Sequence, residues 1–223
     1  MKDIKKSKRG AETKKFQFVG IFFGFAGIVF IAVGGVVVTM AQAGSESLQA
    51  VYRAQNVLMS YDEDGNFVDR GTVEGGDAII KLLVEDWKYP LNRKNLDPSD
   101  PLVNTSDELM VTYARISYHV MHGTQTIVLD EDVEYKGELY EAGAHEFEVN
   151  GRYWQDFDRQ HPLESQAREM AWTPTAHGLL ANLAAGVASD SLVRFVLFVG
   201  FLTMGFGGVF LLGGVGLVWA NRR

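Results

Sequence analysis

Hydrophobic and polar positions are distributed very unevenly along this chain. Two runs contain no charged residue, Phe18–Ala41 (24 residues) and Phe195–Trp219 (25 residues). About 20 apolar residues suffice for a helix to cross a bilayer, so each run predicts a transmembrane helix. Between them the apolar positions recur at the spacings of short amphipathic elements. Leu48, Val51, Tyr52, Gln55 and Leu58 predict a helix over Ser45–Met59, continuing the first span. Tyr61–Phe67 has the residues of a hairpin turn. Ile79, Ile80, Leu82, Leu83 and Trp87 predict a short helix over Asp77–Trp87, with Gly75-Gly76 as a turn before it. Pro90, Pro98 and Pro101 mark 89–104 as a loop.

Thr105-Ser106-Asp107-Glu108 is a capping box opening a helix to about Met121, with Gly123 as its stop. Thr124–Leu129 alternates as a strand. Val133–Trp154 predicts a small antiparallel meander turning at Lys136-Gly137, Ala142-Gly143 and Asn150-Gly151. Pro162 starts another helix, through Met170. Thr175–Ala188 is uncharged and rich in Ala, Leu and Gly, which predicts an interfacial helix leading into the second span. The predicted fold class is a membrane protein with two transmembrane α-helices and an extracytoplasmic α+β domain containing a small antiparallel β-meander.

Charge gives this layout a direction. Lys2, Lys5, Lys6, Lys8, Arg9, Lys14 and Lys15 precede the first run, opposed only by Asp3 and Glu12, and Arg222 and Arg223 follow the second. Basic flanks stay in the cytoplasm. The expected order is a basic cytoplasmic N-terminus over 1–17, spans at 18–41 and 195–219, an outer domain over 44–174, an interfacial helix over 175–190 and a cytoplasmic C-terminus over 220–223. The expected location is a cytoplasmic (plasma) membrane, with residues 44–190 outside. Residues 44–190 hold 11 Lys/Arg against 26 Asp/Glu, a balance of −15 hidden within a net charge of −7. Ala41-Gln42-Ala43 has the form of a leader cleavage site, but a leader's apolar core is about 7–15 residues. The 24-residue run therefore predicts an uncleaved span.

The two spans hold 12 of the chain's 24 glycines. Gly20, Gly24, Gly27 and Gly34 form one stripe, and Gly200, Thr203, Gly207 and Gly214 another. Small residues at such spacings let helices approach closely in lipid, where packing replaces the hydrophobic drive. Both stripes are expected helix-packing faces, for each other and for other transmembrane subunits. Neither run contains a charge, His, Asn or Gln, which argues against a proton relay or haem ligand within them.

With no cysteine, the chain has no disulfide, thiolate metal site or cysteine nucleophile. His119-x-x-His122 is the best metal candidate, since residues i and i+3 share a helix face and imidazoles bind zinc, copper or iron. Against this, His122 falls at a helix end, where a cation simply suits the dipole. No nucleophile elbow, phosphate-binding glycine loop or complete calcium loop occurs, and no motif implies a cofactor. A domain at −15 repels nucleic acid. Its carboxylates would instead speed encounter with a basic soluble partner.

The whole layout, together with Asp158-Arg159-Gln160-His161-Pro162-Leu163-Glu164 followed by Ala167-Arg168, resembles a group of small two-span actinobacterial membrane proteins. Some of these are described as aromatic ring-opening dioxygenases. That description implies an Fe(II) site of two His and a carboxylate, for which only His119 and His122 could be offered. In layout alone the chain is also similar to accessory subunits of actinobacterial respiratory supercomplexes. The expected function is a non-catalytic accessory or assembly subunit of a membrane complex. The alternative is a His-based metal-binding protein or metalloenzyme on the outer face.

Overall fold

The computed structural model describes residues 2–222, with side chains from Lys14 onward. The side chains of Lys2, Lys5, Lys6, Lys8 and Arg9, and all of Arg223, lie outside the described residues. The chain divides into two compact units, one formed by Met1–Ala50 with Asp190–Arg223 and the other by Val51–Ser189.

The first unit is a pair of helices, the greater parts of α1 (Lys2–Gln55) and α5 (Pro174–Ala220). Both are long and apolar enough to cross a membrane, with mean hydropathy of 2.7 and 2.3 over their most apolar stretches. Large apolar side chains point away from the pair all round: Phe18 is 72% exposed and Leu212 74%. A helix that is apolar on every face suits lipid as solvent rather than water.

The second unit is helix and strand. α2 (Val73–Lys81) starts four residues before the expected position and takes Gly75 and Gly76 into its first turn. The glycine pair is not a turn before the helix. Gly76 is required because a Cβ there would run into the Phe67 carbonyl oxygen. The Thr72 hydroxyl caps the helix, accepting from Gly75 N at 3.1 Å. A π-helical turn, Leu82–Asp86, extends α2 and closes with Trp87 N donating to Leu82 O at 3.0 Å. The loop that follows carries one short 3₁₀ turn, Arg93–Asn95.

α3 (Ser106–Met121) opens on the expected capping box, formed in both directions. Glu108 N donates to the Thr105 hydroxyl, and a Glu108 carboxylate oxygen accepts from Thr105 N at 2.9 Å. Ile79, Leu83, Val111, Met121, Ile127 and Val149 are fully buried in this unit.

Strands β1 (Thr124–Leu129), β2 (Val133–Tyr135), β3 (Glu138–Tyr140) and β4 (Gly143–Glu148) do not form the expected meander. β2 pairs with β3, whereas β4 returns to β1 in the register Thr124↔Glu148 to Leu129↔Gly143. The result is a hairpin nested inside a longer antiparallel ribbon. Lys136 at φ 53° and Gly137 at φ 83° make the inner turn. Gly143, at φ 130°, redirects the chain away from β3. The Asp132 carboxylate accepts from Ala142 N at 2.7 Å and closes the neck.

Two residues, Trp172 and Thr173, separate α4 (Glu164–Ala171) from α5. α5 then runs unbroken from Pro174 to Ala220, so 175–190 is not a separate helix. Its first part belongs to the second unit's core. Leu180 is buried there, and Gly186 packs against Leu109 with its carbonyl accepting from the Tyr52 hydroxyl at 3.4 Å.

Candidate functional site

The two glycine stripes meet. A Cβ on Gly20 would lie 2.8 Å from Gly214 O, one on Gly27 2.6 Å from Gly207 O, and one on Gly34 2.7 Å from Gly200 O. The antiparallel partners are thus Gly20 with Gly214, Gly27 with Gly207 and Gly34 with Gly200, at seven-residue intervals on both helices. A seven-residue repeat keeps one seam in contact as two helices wind about each other. Opposite the glycines, the Leu211 backbone lies on Gly27, and the side chains of Met204, Ile31 and Val38 lie on Gly34, Gly207 and Gly200.

Gly24 meets the seam through its backbone, which a Cβ on Gly214 would strike. Thr203 sits one position off this pattern. Met204 takes the place opposite Gly34, and the Thr203 hydroxyl turns back to Val199 O at 2.8 Å. At one end the Gln17 amide donates to Asn221 O at 2.8 Å. Phe210 packs between Phe23 and Phe30, with ring centroids 5.5 and 5.7 Å away. Gly35, Gly205, Gly208, Gly213 and Gly216 face open space.

His119 and His122 have other engagements. His119 Nε2 is 2.9 Å from the buried Asp69 carboxylate. His122 caps the end of α3; its ring stacks on Tyr118 at 4.1 Å and its Nδ1 donates to Tyr118 O at 2.9 Å. Among the described residues, no group of three or more His, Asp or Glu gathers as a metal site requires.

The segment Asp158–Glu164 is a pin. Asp158 Oδ2 accepts from the Tyr135 hydroxyl at 2.7 Å and from Lys136 Nζ at 3.0 Å, and Oδ1 accepts from Gln160 N at 3.0 Å. These bonds, Tyr135's first, hold the Asp158 carboxyl well below the usual carboxylate range. His161 Nδ1 accepts from Leu163 N and Glu164 N at 3.1 and 3.3 Å, which puts its proton on Nε2. That proton is donated to the Tyr140 hydroxyl at 3.0 Å, which donates in turn to Glu138 at 2.8 Å. The hydrogen bond to Glu138 raises the Tyr140 phenol above its ordinary value. The motif therefore fastens the β2–β3 hairpin to the start of α4.

Three of the four tryptophans converge beside this pin. Trp87, Trp154 and Trp172, with Tyr113, Tyr153 and His177, line a cavity of about 540 Å³. Trp87 Nε1 donates to the Tyr153 hydroxyl at 2.7 Å, and Trp172 Nε1 to Arg152 O at 3.2 Å. Trp87 meets Tyr113 edge-on at 5.7 Å, and Trp172 stacks between Tyr153 and His177 at 6.2 and 5.7 Å. The Arg168 guanidinium carbon sits 3.5 Å from the centroid of Trp154. Sequence reasoning missed this cavity because its tryptophans are far apart in the chain. The concentration of Trp within an acidic, polar stretch was the one available pointer.

No family model matches the chain, and no curated protein and no solved structure matches it. The structure itself defines two helices of membrane-spanning length and composition, joined to a small helix-and-strand region with short antiparallel sheets.

Proposed function

We propose that this protein is a non-catalytic accessory or assembly subunit of a membrane protein complex. In this reading both termini are cytoplasmic and the acidic unit faces outward from a bacterial cytoplasmic membrane. The paired spans present a glycine-rich face to neighbouring transmembrane subunits. One observation carries the reading. The spans contain more glycine than their own seam uses, and Gly205, Gly208, Gly213 and Gly216 of α5 face open space. Each glycine in a helix interior costs roughly 1 kcal/mol relative to alanine in water, and close approach of another helix is what repays it in lipid. The basic flanks at both chain ends support the orientation. Purification from the native membrane in mild detergent tests the proposal. It predicts a stoichiometric transmembrane partner that Gly208→Leu releases; migration only as a free monomer refutes it.

A further inference from the structure

The aromatic cavity of the 51–189 unit carries a second, independent reading. Two of its indole N–H groups are already committed, Trp87 to Tyr153 and Trp172 to the Arg152 carbonyl, while Ser117, Gln155 and His177 also line it. What these tryptophan rings have left to offer is π surface. Among the described residues no Asp, Glu, Lys or Arg lines the cavity, so it offers neither an ion pair to an anion nor a ligand set to a hydrated metal ion. The unit as a whole is nonetheless strongly negative, with 24 Asp/Glu against 11 Lys/Arg over residues 51–189.

Negative potential combined with neutral aromatic walls selects soft organic cations, whose diffuse charge is attracted to ring faces at little desolvation cost. One ring of the cluster already holds a cation. Arg168 lies 3.5 Å over Trp154, while its buried Nε has no hydrogen-bond partner and its nearest carboxylate, on Glu169, is 3.7 Å away. The ring face is thus the closest partner of that charge. At about 540 Å³ the cavity lies within the range of small-molecule sites.

We propose that this cavity binds a small quaternary or alkylated ammonium ion, with Trp87, Tyr113 and Tyr153 supplying the ring faces and Trp154 left to Arg168. The full chain in a maltoside detergent is titrated with choline, and Trp fluorescence is followed. Its uncharged isostere 3,3-dimethylbutanol serves as the control. Choline should bind ~10-fold or more tightly than the isostere, which is ~1.4 kcal/mol of charge-dependent attraction. Its affinity should fall as salt rises.

Trp87→Leu should weaken choline binding by a similar factor. Trp87→Phe, which keeps a ring, should retain most of it; both variants are first checked for an unchanged melting temperature. A third arm uses dihexanoyl-phosphatidylcholine below its micelle concentration. Tighter binding than choline assigns the cation to a lipid headgroup, and equal or weaker binding to a free solute; the ammonium chemistry stands in both. Equal binding of isostere and choline, binding of neither, or binding indifferent to Trp87→Leu overturns the proposal.

Discussion

The helix pair and the 51–189 unit solve the packing problem in opposite ways. The unit buries large side chains, Ile79, Leu83, Met121 and Val149 among them, and fixes the starts of α2 and α3 with side-chain caps. The pair buries almost none of its large residues. It turns most of its large residues outward, Phe23 and Phe210 packing across the pair, and brings backbone to backbone at Gly20, Gly27, Gly34, Gly200, Gly207 and Gly214. In water, burial of apolar area provides the drive. Between helices in lipid that drive is missing, and dispersion across a close contact replaces it. At Gly75 and Gly76 the unit borrows the pair's device, admitting the Asp69 and Phe67 carbonyls to a helix backbone.

The largest expected effect lies in the seam. In Gly207→Leu the new Cβ would lie 2.7 Å from Gly27 O and 2.8 Å from Ile31 N, atoms that cannot give way. The helices should part toward the ~8–10 Å separation of ordinary packed helices. Spin labels on cysteines placed at Gln17 and Asn221 read that separation directly. Gly213→Leu, which meets open space, should leave the distance unchanged.

Next comes the core of the unit. Leu83 is completely buried, and Leu83→Ala should cost about 2–5 kcal/mol in denaturant unfolding of the full chain. Val128→Ala, on an exposed face of β1, should stay within about 0.5 kcal/mol. A smaller loss, about 1 kcal/mol, is expected for Thr105→Ala, which removes one half of the α3 capping box. A mild effect on Leu83→Ala would place the unit's stability elsewhere than its core.

The smallest effect is a pH dependence. The Asp158 carboxyl is lowered in the folded chain, whereas an unfolded aspartate titrates near ~3.9. Its contribution is therefore present above about pH 4 and is lost as pH falls through the lowered value. Asp158→Asn should melt slightly earlier at neutral pH and lose less stability on acidification below pH ~4. Parallel acid profiles for variant and parent would remove Asp158 from the account.

The elements with local rules were legible in the sequence. Charge-free runs of 24 and 25 residues announced the two long helices. The capping box at Thr105 and Glu108 announced α3, because its chemistry lies within four residues. What sequence reasoning misread depends on distant partners. Gly75-Gly76 looks like a turn until the Phe67 carbonyl is seen against it. The three closely spaced turns suggest a meander, because only the twist at Gly143 and the Asp132 bond to Ala142 send β4 back to β1. Thr203 fits a small-residue stripe, yet the seven-residue phase of the seam selects Met204. His119 and His122 share a helix, but Asp69 and the Tyr118 carbonyl claim one ring each.

The seven-residue glycine seam is the central claim, and disulfide cross-linking in the membrane tests it most directly. The chain has no native cysteine, so an introduced pair reports alone. The Phe23 and Phe210 rings lie 5.5 Å apart across the seam, whereas Phe25 and Phe206 point outward, 67% and 54% exposed. Phe23→Cys with Phe210→Cys should close an intramolecular disulfide on mild oxidation, and Phe25→Cys with Phe206→Cys should not. Equal cross-linking of both pairs, or of neither, contradicts the seam.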